Sequence, residues 1–402
     1  MPNIVIPPII SVDDHVVEPP HLWQRWLPAR YRDAGPRILR APYELTARQQ
    51  TIMAASGPET DFWVFENAKV AIHNAAAASG LKPEEIDFSP RSYDEMRPAF
   101  YDPAARLVDM DTNHIERSLC FPSTFPRFCG QTFLEASDKD LALACLKAYN
   151  DWMVEEWCGD SGGRLIPLCL SPLWDAQLAA DEVRRNAARG VHAVTFCELP
   201  AYLDLPSLYT DHWDPFLAAC NETATTICIH IGSAAKLIAS SPDAPRVSRQ
   251  AALCLNSQLT FTDWLMSGKL VQFPNLRMAL SESQIGWMPY IAERLDHLWE
   301  KARAGAQINP IISRPPSSYV AGHIFGCFFE DNFGIRSHDA IGIDQITFET
   351  DYPHQDSTWP HTRQYAEQAM ACLTQEQVDK VVRGNAIRLF SLPETLKVMA
   401  PA

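Results

Sequence analysis

The 402-residue sequence contains no run approaching the roughly 20 consecutive apolar residues that a bilayer-spanning helix needs. Its opening residues, Met-Pro-Asn-Ile-Val-Ile-Pro-Pro, lack the basic segment and long apolar core of a secretory signal. A cytoplasmic location with no membrane partner is therefore expected. No cluster of Lys and Arg stands out, and the net charge is −15. Such a surface repels polyanions, so nucleic acid is not an expected partner. The 11 cysteines are an odd number, scattered singly with no Cys-x-x-Cys pair. Neither a disulfide framework nor a zinc knuckle fits that pattern, and small reduced core residues do. No Gly-x-Gly-x-x-Gly turn follows any apolar run, which argues against a doubly wound dinucleotide-binding sheet. Internal repeats and low-complexity tracts are absent too.

What the sequence has is 47% hydrophobic and 10% aromatic residues, enough for a sizeable core. Short apolar or β-branched runs alternate with longer helical stretches. The runs are Ile9 to Val12, Arg117 to Phe121, Arg164 to Leu170, Val191 to Phe196, Thr226 to Ile231, Leu276 to Leu280, His323 to Phe329 and Gln345 to Phe348. Helices are expected at Asp138 to Cys158, Asp175 to Arg189, Trp213 to Cys220, Gln250 to Met266 and Trp287 to Arg303. This alternation predicts parallel strands with helical crossovers, and about eight strands predict a closed (β/α)₈ barrel. Such a barrel uses about 250 residues, so chain is left over. Most of the excess follows the first strand, where an aromatic-rich insertion over about 39–100 is expected to lie over the mouth as a lid. One elaborated domain over residues 1–402 is the simplest organisation.

In such a barrel, catalytic side chains sit at the C-terminal ends of the strands. Acids and imidazoles recur there: Asp13 and His15 at the first strand, Glu198 at the fourth, His230 at the fifth, Glu282 at the sixth, Asp351 and His354 at the eighth. Residues two apart on a strand share a face, so Asp13 and His15 can grip one ion. Buried carboxylates converging on one pocket would be costly without a cation, which makes a metal the simplest account. Glu198 is expected to contact metal rather than an arginine. Trp23, Phe125, His212 and Trp213 are candidates for contact with substrate.

Asp13-x-His15, Ile-His230-Ile-Gly-Ser and Glu-Thr-Asp351-Tyr-Pro-His resemble the amidohydrolase superfamily, more narrowly its amidohydrolase-related branch that includes amino-carboxymuconate-semialdehyde decarboxylase. Arg106 to Asp111, Tyr149 to Trp152, Asp211 to Pro215, Phe273 to Leu276 and Gly384 to Phe390 support the resemblance, which is weakest from about Leu39 to Phe100. The resemblance implies a distorted (β/α)₈ TIM barrel with one or two divalent ions. Asp13 and His15 match the first-strand ligand pair, His230 the strand-five ligand, and Asp351 the strand-eight aspartate that binds metal and shuttles a proton. Two departures stand out. Glu282 occupies the strand-six region where a histidine is common, and no lysine ends strand four, leaving Glu198 as a candidate bridge. An oxygen-rich ligand set favours Mn or Fe, with Zn the usual choice for imidazole-rich sites.

The first functional reading is a metal-dependent hydrolase acting on a small organic substrate, with Asp351, His354 and Glu282 as catalytic groups. Three alternatives stand beside it: a non-oxidative decarboxylase, a dinuclear non-haem iron or Mn/Fe monooxygenase using O₂, and a silent metal-binding subunit supporting a paralogue. Self-association is expected, as a homodimer or a heteromer with a paralogue. The apolar Leu392, Leu396, Val398 and Met399 near the end of the chain are its candidate surface.

Overall fold

Every one of the eight stretches read as strands is extended in the computed structural model, and four more strands lie between the first and second of them. In chain order they are β1 (Ile9–Val16), β2 (Arg37–Leu45), β3 (Thr51–Met53), β4 (Glu59–Phe65), β5 (Ala68–Ala71), β6 (Ile115–Pro122) and β7 (Leu165–Ile166). They continue with β8 (Ala193–Phe196), β9 (Thr226–His230), β10 (Met278–Ser281), β11 (Ile324–Phe328) and β12 (Ile346–Phe348). The structure describes residues 4–46, 50–87, 89–236, 238–302 and 308–396. Val398 and Met399 lie outside them, and Leu392 and Leu396 are half-buried. The chain divides into two units. One comprises Met1–Val12, Leu173–Glu349 and Gln364–Glu394, the other Asp13–Pro172, Thr350–Arg363 and Thr395–Ala402.

The first unit carries a five-stranded sheet in the order β12-β11-β10-β9-β8, parallel throughout. Every residue of these strands is buried. Burial on both faces explains why Thr-Ile-Cys-Ile-His and Ile-Thr-Phe read as continuous runs rather than as alternating ones. The crossovers are helices such as Ala176–Ala187, Asp214–Thr223, Cys254–Met266 and Met288–Ala302. Asp175 caps the first of these, its carboxylate accepting from the Gln177 and Leu178 N–H groups, which are otherwise unsatisfied at a helix start. Register pairs Phe196 with Ile229 and His230 with Ser281, so Glu198, His230 and Glu282 emerge at one C-terminal edge.

The second unit holds residues 13–16 of β1, the parallel pair β6 and β7, and an antiparallel sheet in the order β3-β2-β4-β5. The antiparallel sheet is what the insertion over 39–100 builds. Its strands escaped the sequence reading because β2, Arg-Ile-Leu-Arg-Ala-Pro-Tyr-Glu-Leu, is mostly exposed and carries Pro42, so neither a clean alternation nor an apolar run appears. Nine of the eleven cysteines are buried and all are free, as their scatter implied; Cys254 is partly buried and Cys372 exposed.

A buried cation organises the second unit. The helix Pro103–Thr112, capped by Asp102, carries Arg106, which is 1% exposed. Its Nε donates to the Ala99 carbonyl at 2.8 Å and its Nη2 to the His15 carbonyl at 2.6 Å. The guanidinium carbon also lies 4.5 Å from the centre of the Tyr352 ring and 5.2 Å from that of Trp157. Removing the guanidinium strands two buried carbonyls. Arg106→Met should therefore destabilise the protein by about 3 kcal/mol, measured by chemical denaturation. A loss under about 0.5 kcal/mol, the range of a neutral surface change, would contradict this role.

Candidate metal centre

Two short stretches of the second unit build the site. The Asp351 N–H donates to the Asp13 carbonyl at 3.0 Å, and the His15 N–H donates to the Tyr352 carbonyl at 2.6 Å. Residues 13–15 thus run alongside 351–352. Alternation puts Asp13 and His15 on one side of β1 and Asp14 on the other. The Asp14 carboxylate uses that other side: Oδ1 accepts from Thr350 Oγ1 at 2.5 Å and from the Tyr352 N–H at 3.2 Å, and Oδ2 accepts from the Ser118 hydroxyl. Asp351 itself has φ 49°, a left-handed conformation that Asp tolerates better than most residues.

On the near side, His15 Nε2 is 3.3 Å from Asp351 Oδ1 and 3.7 Å from Asp13 Oδ1. His354 Nδ1 is 3.0 Å from the same Asp351 oxygen, and the two imidazoles stack with centroids 3.6 Å apart. Asp13, His15 and Asp351 are fully buried, whereas the His354 side chain is 14% exposed. Burial alone would push the Asp351 carboxyl up, but the His354 and His15 imidazoles outweigh it and hold the group well below the usual range. One ligand atom each from His15, Asp351 and His354 lies within 4.8 Å of the others. Two imidazoles and buried carboxylate oxygens so gathered fit a borderline divalent cation, and the set suits Mn, Fe or Zn.

Around this cluster, Phe121 and Phe128 approach His15, with ring centroids 6.0 and 5.5 Å away. Ser123 Oγ lies 3.2 Å from His354 Nε2. Ser123 is held in turn by Glu18, whose buried carboxylate accepts the backbone N–H groups of Ser123, Thr124 and Phe125 at 3.0, 3.4 and 3.3 Å. Burial outweighs those bonds and pushes the Glu18 carboxyl up to about 7.

The first unit has its own cluster at the C-terminal edge of the five-stranded sheet. His230 donates through Nδ1 to the Ile231 carbonyl at 2.6 Å, a bond that directs Nε2 towards Glu282 Oε2 at 3.4 Å. Glu282 has φ 56°, and its N–H donates to Glu349 Oε2 at 3.1 Å. The Cys327 thiol donates to the same Glu349 oxygen. Glu198 is buried, accepting from Ser257 Oγ at 3.1 Å and the Ala234 N–H at 3.4 Å. Its partners are a hydroxyl and an amide, not an arginine, and burial pushes its carboxyl up to about 7.

The aromatic candidates for substrate contact are mostly enclosed. Trp23 and Phe125 are fully enclosed, with ring centroids 5.0 Å apart and with Trp63 and Phe133 packed around them. Trp213 is equally buried against Phe196, its indole N–H donating to the Pro206 carbonyl at 2.6 Å. All three rings are packed among other aromatic side chains. His212 is half-buried, with its ring edge-on to Trp213. The sequence reading passed over Asp14, Ser123, Phe128 and Glu349. Only Glu349 gave a local sign, as a further acid next to Asp351.

A family model described as Amidohydrolase matches residues 21–392. No curated protein matches the sequence. Among solved structures, an amidohydrolase from Mycobacterium avium subsp. paratuberculosis K-10 is similar at 19% identity and a TM-score of 0.71, covering 96% of this chain and 99% of its own. The 2,6-dihydroxybenzoate decarboxylase from Rhizobium is 20% identical with a TM-score of 0.57, over 73% of this chain and 90% of that one. The 5-carboxyvanillate decarboxylase from Novosphingobium aromaticivorans, complexed with manganese and 4-hydroxy-3-methoxy-5-nitrobenzoic acid, is 17% identical with a TM-score of 0.59, over 73% and 82%. These likenesses establish a shared fold. Among the described residues no helix is long and apolar enough to cross a membrane.

Two outcomes are expected of this geometry. His15→Ala and Asp351→Asn should each lower bound divalent metal at least ten-fold, by elemental analysis, while circular dichroism stays as in the parent. Full metal retention by either variant would remove it from the ligand set. Glu18 supplies a pH test. Its folded carboxyl binds a proton more tightly than the unfolded one, so stability falls as pH rises from 4.5 to about 7, by up to about 3 kcal/mol. Glu18→Gln should flatten that decline in melting temperature, and an unchanged slope would refute the assignment.

Proposed function

We propose that this chain, which belongs to the amidohydrolase family, is a divalent-metal-dependent carboxy-lyase that removes CO₂ from a small phenolic acid without an external oxidant. The observation that carries the reading is the buried Asp351 carboxyl, whose Oδ1 lies 3.0 Å from His354 Nδ1 and 3.3 Å from His15 Nε2. Manganese and a phenolic acid analogue in the 5-carboxyvanillate decarboxylase support it, as does the fold shared with two decarboxylases. The (β/α)₈ barrel that such relatives imply is part of the same reading.

In this scheme Asp13, His15 and Asp351 would hold the ion. When bound, it supplies positive charge to steady a carboxylate and its neighbouring hydroxyl oxygen. The protein's own groups do the rest. Loss of CO₂ breaks a carbon–carbon bond and leaves the electron pair on the ring carbon, so one proton must be delivered there. Asp351 and His354, whose Oδ1 and Nδ1 lie 3.0 Å apart, are the groups placed to deliver it. His354 is the one member partly open to solvent, so the spent proton is replaced through it. Phe121 and Phe128 screen the His15 side from water.

Hydrolysis is the second reading, favoured by the amidohydrolase that covers 96% of this chain with a TM-score of 0.71. Asp351 would there accept a proton rather than deliver one.

A panel of 2-hydroxy and 4-hydroxy benzoates carrying ¹³C-carboxylates, given to manganese-loaded protein in D₂O, separates the two. Release of ¹³CO₂ with one deuterium at the vacated ring carbon is expected. His15→Ala and Asp351→Asn should slow turnover at least about 100-fold with unchanged circular dichroism. Cleavage of amides, esters or lactones with no ¹³CO₂ from any acid would sink the carboxy-lyase.

A further inference from the structure

Three groups at the candidate metal cluster reach solvent in part. The His354 side chain is 14% exposed, and Ser123 and Phe128 are half-buried. They adjoin one another: Ser123 Oγ lies 3.2 Å from His354 Nε2, and the Phe128 ring centroid is 6.4 Å from that of His354. Asp13, His15, Asp351 and Phe121 are buried. Within this unit, a molecule arriving from solvent therefore meets the cluster along the edge that His354, Ser123 and Phe128 form.

Phe128 gives that edge its apolar part. Its ring stands at 57° to the His15 ring and 59° to the His354 ring, with centroids 5.5 and 6.4 Å away. The two imidazoles instead stack on each other, 3.6 Å apart. A ring tilted in this way does not lay its face flat on either imidazole, and an incoming aromatic ring can meet it edge-on or offset.

The loop carrying Phe128 is fixed on both sides. Before it, Glu18 accepts the N–H groups of Ser123, Thr124 and Phe125, and Thr132 Oγ1 donates to the Phe125 carbonyl at 2.5 Å. Arg127, at φ 60°, pairs with Glu135 at 2.6 Å. After it, the Cys129 N–H donates to Oε1 of the buried Gln131 at 3.0 Å. A side chain on so constrained a loop loses little freedom when a ligand meets it. We infer that Phe128 is a specificity-determining residue that selects substrates carrying an aromatic ring over their saturated counterparts. The inference rests on the proposed reading of this cluster as the reacting centre, and it adds the group that reads the ring. A saturated ring is thicker and has no π-quadrupole, so it keeps apolar contact with Phe128 and loses the aromatic part.

The test uses the full-length, manganese-loaded protein with phenylphosphonate and cyclohexylphosphonate, titrated by calorimetry. The two share charge and ring size, and neither carries a carboxyl, amide or ester that the protein could consume. The parent should bind the phenyl compound about five-fold more tightly. Phe128→Leu, which keeps the apolar bulk, should bring the two affinities within about two-fold, and Phe128→Tyr should keep the preference. Manganese per chain and circular dichroism should stay as in the parent. Equal affinities in the parent, or an undiminished preference in Phe128→Leu, overturn the inference. A loss of manganese with both phosphonates weakened alike overturns it too, because Phe128 would then serve only to pack His15. Should no acid release CO₂, the carboxy-lyase fails while the phosphonates still decide the role of Phe128.

Discussion

One buried carboxylate, that of Asp14, decides where the reactive groups of the second unit sit. It accepts from Thr350 and Tyr352, the two neighbours of Asp351 in sequence, and it stands between Asp13 and His15 on β1. A single side chain thus sets the register between two segments more than 300 residues apart in sequence. The two backbone bonds beside it and the Arg106 bond to the His15 carbonyl complete the splice. Burial raises the Asp14 carboxyl, and Arg106 with the hydroxyl and amide donors works against that rise. The candidate metal ligands face one way from this splice and its supports face the other, as strand alternation requires.

Charge is managed differently at the other buried acids. Glu18 and Glu198 face hydroxyl and amide donors only, and burial leaves both pushed up to about 7. Asp351 has two imidazoles within 3.3 Å and lies far below them. The contrast is one of partners, not of depth, since all three are almost wholly buried. Neutral donors satisfy oxygens, whereas imidazoles also compensate charge. A buried carboxyl flanked by imidazoles is the one suited to a cation.

Much of this was legible in the sequence, for a definite reason. The eight strands were readable because strands buried on both faces leave apolar runs, and Asp13, His15, Asp351 and His354 stood out as candidates because they follow or end such runs. The antiparallel sheet of the insertion left no such trace, its outer strand being exposed. Aromatic residues are harder to place from the sequence. Phe125 and Phe128 are three positions apart in one loop, and composition cannot tell that the first is sealed in core while the second stands beside His15. Ser123 was invisible because its partner lies 231 residues away.

The left-handed backbone at Asp351 and Glu282 sets a limit on how this protein can change. At position 351 the conformational demand and the chemical one agree, since Asp and Asn are the side-chain-bearing residues most at ease there and only Asp brings the charge. At position 282 they conflict. Glycine would relieve a strained φ of 56° by about 1 kcal/mol and would erase the carboxylate that faces His230. A lineage selected for thermal robustness alone would drift to glycine there, so retention of Glu282 across relatives would mark selection for the site rather than for the scaffold.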